Sequence, residues 1–257
     1  VIEPLATLLP VGEAAILATV LVFFRIGAVM ALLPAFGEQS VPLRVRLALA
    51  VVLTAVVAPA VAPDIADAAP DGLTFAPLVA EIINGLLLGI GFRLIVVALQ
   101  IAGTIAANMT SLSQILGGAG VDPQPAIASL LVIAGLALAA LGGLHVKVAS
   151  ALILSYEALP AGEMPGTAAM AEWGTGEVAH AFAFAFVLAA PFTIAALVYN
   201  LALGAINRAM PQLMVAFVGA PAVTWGGLFL LVLSGPLMMS VWSETFDALL
   251  ADPLRGR

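Results

Sequence analysis

The sequence predicts an all-α membrane protein of about six hydrophobic helical segments, some of them broken. Three observations predict it. Of 257 residues, 63% are hydrophobic and 9% charged, against roughly 25% charged in a soluble domain, and the mean hydropathy is +1.19. Apolar runs of helix length alternate with short stretches rich in Gly, Pro and acidic residues. Two arginines, Arg25 and Arg93, lie inside those runs, where a charge must find protein or water.

The first run, Ala14 to Leu33, has the roughly 20 residues needed to cross a hydrocarbon core. Its flank carries Glu3 and Glu13 in place of a basic region, so the run is expected to stay in the mature protein and not to act as a signal peptide. Arg25 sits mid-run, where an arginine costs about 2.5 to 3.5 kcal/mol on insertion scales, so it must face protein, water or a carboxylate. Sequence alone does not name that partner. After Arg44 and Arg46 comes a second run, Leu47 to Ala62, interrupted by Pro59. As a helix it covers roughly 24 Å, short for a span, whereas the third run, Leu78 to Met109, covers roughly 48 Å as one helix. Such opposite mismatches suggest helices held mainly by other protein.

The third run carries a ridge at helical spacing: Glu81, Gly85, Gly89, Arg93, Gln100, Gly103 and Ala107. Gly85 and Gly89 form a GxxxG pair that lets another helix approach closely, and Arg93 on the same side must meet that neighbour or an aqueous cavity. The run leads into TIAANMTSLSQILGGAGVDPQP, Thr104 to Pro125. Here Gly117, Gly118 and Gly120 disfavour helix, and the chain is expected to restart at Asp122 as N-cap with Pro123 first in the helix. Ser111, Leu112, Gln114, Ile115 and Leu116 give this segment polar and apolar side chains that could pack into something or merely connect two helices.

The fourth run, Ala126 to Leu154, contains Gly142, Gly143, His145 and Lys147, the last near enough to an end to snorkel. Glu157 to Glu177 is acidic and glycine-containing and reads as a loop. The fifth run, Val178 to Ile206, contains Pro191 and ends at Asn200, Asn207 and Arg208; Pro211 closes the turn into the sixth, Leu213 to Trp242. Arg44, Arg46 and Arg208 lie in the first and fifth loops, and the second and fourth loops are purely acidic, which places both termini outward by the positive-inside rule. Arg255 and Arg257 oppose that assignment.

Several chemistries are excluded or disfavoured. With no cysteine there is no disulfide or thiolate site, and His145 and His180 have no ligand spacing, so no metal or cofactor is expected. A net charge of −7 argues against nucleic acid as a partner. Neither GxSxG nor HExxH occurs, so the chain is not expected to be an enzyme. A six-helix small-solute transporter would account for Arg25, Arg93 and the Pro191 interruption.

YNLALGAINRAMPQL, Tyr199 to Leu213, followed by Gly219 and Pro221, resembles the signature of the FliR family, the flagellar relatives of the SctT subunits of type III secretion. On it stand Asn200, Gly204, Pro211 and Gln212. Four further stretches agree: SVPLRVRLALA from Ser40, VDPQ with Asp122 and Pro123, GGLH from Gly142, and SYEALPAG from Ser155. Departures are Met214, Ala216 and Ala220. The resemblance implies a FliP-like first part, residues 1–125, fused to a second part, 126–257, with a FliQ-like helical hairpin. It implies an export-gate subunit in the bacterial inner membrane, within the flagellar basal body, working with FliP, FliQ, FlhB and FlhA and with lipids. Unfolded flagellar subunits would pass through the gate. It further implies that the segment from about Asn108 to Val121 plugs the channel. Arg25, Arg93 and Arg208 are read as buried charges or subunit contacts.

Overall fold

The computed structural model describes residues 3–37, 41–65, 74–110, 126–210 and 215–254. The described residues form seven helices: α1 (Glu3–Leu32), α2 (Leu43–Ile65), α3 (Phe75–Thr110), α4 (Ala126–Leu141), α5 (Leu144–Ala158), α6 (Thr167–Ala209) and α7 (Val215–Ala251). Five are long and apolar enough to cross a membrane, and α4 with α5 would make a sixth, bent by 76°. The all-α membrane class read from composition is the class observed.

Element boundaries differ from the sequence reading in four places. The second run is not short: α2 has 23 residues, about 34 Å. It starts at Leu43 because Pro42 O accepts from Val45 N at 2.9 Å and from Arg46 N at 3.3 Å, and two arginines at the polar end do not stop a helix. The fourth run is two helices, broken where Gly143 takes φ 80° and ψ 37°, a left-handed geometry that glycine adopts without a Cβ penalty. The acidic stretch before Glu177 is not all loop, since α6 begins at Thr167. Nor does Pro191 interrupt the fifth run: α6 passes through it for 43 residues. Proline is tolerated in such helices when neighbouring groups accommodate the freed carbonyl. The third run is one helix of 36 residues, as its length suggested.

The chain divides into two compact units. The first comprises residues 1–94, 139–178 and 245–257. Its α1 packs on α2 and α2 on α5. The buried face of α1 runs Ala18, Leu21, Val22, Arg25, Ile26, Val29 and Met30, an alternating three-and-four spacing that is one side of a helix. The start of α3 meets α1 through two glycines. A Cβ on Gly85 would collide with Arg25 O and lie 2.8 Å from Ala28 Cβ, and one on Gly89 would lie 3.0 Å from Leu32 Cβ and 3.4 Å from Val29 Cα.

The second unit comprises residues 95–138 and 179–244. Its centre is Trp242, fully buried, whose indole Nε1 donates to Ile95 O at 3.0 Å. Gly135 of α4 leaves room for that ring, since a Cβ there would sit 3.2 Å from Trp242 Cζ3. Gly103 of α3 lies directly against the Ala128 backbone of α4.

Candidate functional site

The most polar interior point among the described residues is built around Arg25 in the first unit. Its side chain and that of Glu81 are both 0% exposed. Heptad-like spacing explains why they face each other. On α1, Arg25 falls in the seam otherwise made of Leu21, Val22, Ile26 and Val29; on α3, Glu81 begins a seam that continues through Gly85, Leu88 and Phe92. Arg25 Nε donates to Glu81 Oε2 at 2.7 Å and Nη2 to Oε1 at 3.0 Å, the two-point geometry a guanidinium and a carboxylate favour.

The SYEALPAG stretch, at the end of α5 and in the following turn, closes over this pair. Arg25 Nη1 donates to Ser155 Oγ at 3.1 Å and Nη2 also to Leu159 O at 2.9 Å. The guanidinium carbon lies 3.6 Å from the centre of the Tyr156 ring, a cation–π contact. Glu81 accepts two further bonds, from Tyr156 OH at 3.2 Å and from Gly162 N at 2.8 Å. One turn along α3, buried Asn84 donates through Nδ2 to Glu163 O at 3.1 Å.

Four of the five N–H donors of an arginine are thus used. Removing two ions from water costs several kcal/mol each, and that penalty is offset only when the remaining lone pairs and protons are satisfied. Here they largely are. The arrangement therefore acts chemically as a clamp between α1, α3 and the 155–163 segment. It holds no nucleophile beside a base, and its arginine is buried with a single N–H left over, which removes Arg25 as support for the transporter reading. Among the described residues no three His, Asp or Glu side chains converge as a metal site would require.

Sequence reasoning required a partner for Arg25 but did not find Glu81, 56 residues away. A signal existed, because Glu81 is the only acidic residue from Phe75 to Thr110. It also missed that SYEALPAG supplies the rest of the shell. Lys147, expected to snorkel, is paired with Asp247 of α7 at 2.7 Å.

The other candidates are scattered. Arg93 is half-buried, and Arg208 is not buried but exposed at the end of α6. Gly85 and Gly89, on α3, pack against α1, as described. Asn200 and Gly204 are exposed on α6. Ser111, Leu112, Gln114, Ile115, Leu116, Gly117, Gly118, Gly120, Asp122, Pro123, Pro211 and Gln212 lie outside the described residues, as does the expected N-cap at Asp122.

The model of the family described as bacterial export proteins, family 1, matches residues 16–249. The chain belongs to the FliR family of bacterial export proteins. The flagellar biosynthetic protein FliR of Caulobacter vibrioides is 32% identical over 234 residues, covering 90% of this chain and 93% of that relative. The protein of the same name from Escherichia coli is 31% identical over 241 residues, 89% of each chain. That of Aquifex aeolicus is 28% identical over 240 residues, 92% of each. A FliR-family chain with five to six apolar spans is a membrane component of flagellar export, and all the elements of the Arg25 clamp fall inside the matched region.

Proposed function

We propose that this chain is a structural subunit of the flagellar type III export gate and helps to form and close the channel through which unfolded flagellar subunits leave the cytoplasm. It works in the inner membrane within the basal body, assembled with FliP and FliQ and in contact with FlhA and FlhB. The observation that carries the reading is the family match over residues 16–249. The surface is what an obligate subunit would have. Large apolar side chains stand out from α2 and α7, including Leu43 at 77%, Trp225 at 75% and Val232 at 77% exposed, a surface that suits lipid and neighbouring membrane helices alike.

Within that reading residues 1–125 form a FliP-like part and 126–257 a part with a FliQ-like hairpin, and the segment centred on Ser111 to Gly120 blocks the channel at rest. A pore wide enough for an unfolded polypeptide leaks ions unless something fills it. Gly117, Gly118 and Gly120 supply hinges, and Leu112, Ile115 and Leu116 supply apolar contacts worth about 1.5 to 3 kcal/mol each when fully buried.

Two experiments test this. Coexpression with FliP and FliQ yields a stable complex, while the chain alone is poorly stable; a monodisperse, thermally robust monomer purified alone contradicts the subunit role. Deleting residues 111–119 in an assembled gate makes cells permeable to ions and small dyes while some export persists. Unchanged permeability in a demonstrably assembled deletion variant makes the segment an ordinary connection.

A further inference from the structure

Within the first unit, the end of α1, the first half of α2 and the start of α5 leave a cleft of about 580 Å³ among the described residues. Sites that hold whole small ligands span roughly 300 to 1,000 Å³. Met30 of α1, Leu33 just after it and Val148 of α5 are buried and form the floor. Val52, Val56 and Val146 stand at the mouth, 59%, 57% and 59% exposed. His145 is the one hydrogen-bonding side chain in the lining. None of these residues takes part in the Arg25 clamp.

On α2 the lining residues Leu49, Leu53 and Val56 follow a four-and-three spacing, which is one side of a helix. Carried one turn back, that side reaches Arg46, about 60° from its line, and Arg44 stands exposed one turn from the cleft. Arg46 is held at the start of the helix, its Nε donating to Val41 O at 3.2 Å. From Arg46 to Val56 the helix rises about 15 Å, half of a hydrocarbon core of roughly 30 Å. The cleft therefore runs about the depth of one leaflet. Its cations sit at the end of Leu43–Pro63, a stretch apolar enough to span a membrane and without an acidic residue. An apolar cleft with arginines at one end matches an acyl chain joined to an anionic headgroup, which basic side chains at a membrane surface attract. A protein helix matches it less well. Membrane helices approach one another closely through glycine or hydroxyl residues, as α3 approaches α1 at Gly85 and Gly89. On α2 there is no glycine, and its one hydroxyl, Thr54, is buried and bonded to Ala50 O at 2.7 Å.

We propose that the cleft between α1, α2 and α5 binds one acyl chain of an anionic membrane phospholipid, whose phosphate is held by Arg44 and Arg46. His145 can donate a ring N–H to an ester or phosphate oxygen of the same lipid. The proposal goes beyond the export-gate reading and does not rest on it, since the site is built from one unit of this chain.

The test uses two photoreactive probes, phosphatidylglycerol and phosphatidylcholine with the same diazirine in one acyl chain. Each is fused into inner-membrane vesicles from cells that express the full chain with the whole export apparatus, and labelled peptides are mapped by mass spectrometry. Phosphatidylglycerol should label residues 49–56 and 145–149 at least about fivefold more than phosphatidylcholine does, the preference expected of basic side chains for an anionic headgroup. Arg44→Gln with Arg46→Gln, both at the helix start, should bring that ratio close to one. Leu53→Trp, which fills the cleft, should lower the phosphatidylglycerol label several-fold, whereas Leu47→Trp, outside the lining, should leave it unchanged. Where Leu53→Trp does not accumulate, Val56→Trp at the mouth reads the same loss. Equal labelling by the two lipids in the unaltered chain, or a label indifferent to tryptophan in the cleft, would overturn the proposal. So would a cleft that neither lipid labels, which would assign it to side chains of a neighbouring subunit. None of these readouts depends on copurification with FliP or FliQ, so the lipid site and the export-gate reading can fail separately.

Discussion

Arg25 and Glu81 form a two-point ion pair of 2.7 and 3.0 Å at zero exposure, and all the surrounding donors and acceptors come from one short stretch, Ser155 to Gly162. Breaking a buried pair by removing one partner costs about 3 to 5 kcal/mol, because the other charge is left uncompensated. Glu81→Ala and Arg25→Glu are therefore expected to abolish accumulation of assembled gate in membranes. Arg25→Lys keeps the charge but loses the fork and is expected to be milder. Arg25→Met with Glu81→Leu removes both charges and is expected to accumulate better than either disruptive single variant. Immunoblots of membrane fractions and of the purified complex check this; a double variant no better than Glu81→Ala would show that the pair is not the relevant unit.

Tyr156 separates two contributions to the same clamp. Tyr156→Phe removes only the hydroxyl that donates to Glu81, worth about 1.5 to 3 kcal/mol as a bond to a charged group. Tyr156→Leu also removes the ring beneath the Arg25 guanidinium, adding roughly 0.5 to 2 kcal/mol. Thermal unfolding of the complex in detergent should rank wild type above Tyr156→Phe above Tyr156→Leu. If both variants fall equally, the ring contact contributes nothing measurable.

The turn after α1 holds Ala35 at φ 68°, a left-handed conformation that costs a non-glycine residue about 1 to 3 kcal/mol. Ala35→Gly should be neutral or stabilising by up to about 1 kcal/mol, while Ala35→Val should destabilise by at least about 1 kcal/mol because branching at Cβ worsens the same clash. The same thermal assay reads the sign. A destabilised glycine variant would mean that the methyl group makes contacts outweighing the backbone strain.

What the sequence made legible was what composition and run length control: the class, the number of apolar segments and the single long helix of α3. Its errors came from interactions between distant residues or from local rules that context overrides. Glu81 stood out as an acid in an apolar run, yet nothing local ties it to Arg25, because the pairing depends on how α1 and α3 cross at Gly85 and Gly89. Glu172, Gly174, Gly176 and Glu177 look like loop residues, but α6 continues through them, as polar and glycine positions are affordable where a helix extends beyond its apolar core. Gly142 and Gly143 had the opposite fate. The apolar run hid a 76° bend that only the left-handed backbone of Gly143 makes plain.

Three glycines allow the packing to be graded by what surrounds each one. A Cβ on Gly103 would lie 2.5 Å from Ala128 Cα and 3.1 Å from Ala128 N, both backbone atoms, so α3 and α4 would have to move apart. On Gly135 the nearest atom is Leu99 Cδ2 at 2.7 Å, the end of a side chain that can rotate, though in a full core. On Gly226 nothing among the described residues lies within 4 Å, and alanine there gains about 1 kcal/mol of helix propensity. Overpacking costs typically about 1 to 3 kcal/mol, so Gly103→Ala should destabilise most, Gly135→Ala less, and Gly226→Ala not at all in the isolated chain held in detergent. The same Gly226→Ala variant then carries a second test. Loss of assembly with FliP and FliQ, without loss of the chain's own stability, would mean that a neighbouring subunit packs against α7 at this point, whereas unchanged assembly would place Gly226 against lipid or open space. An isolated chain destabilised as much by Gly226→Ala as by Gly103→Ala would refute the packing described for α3 and α4.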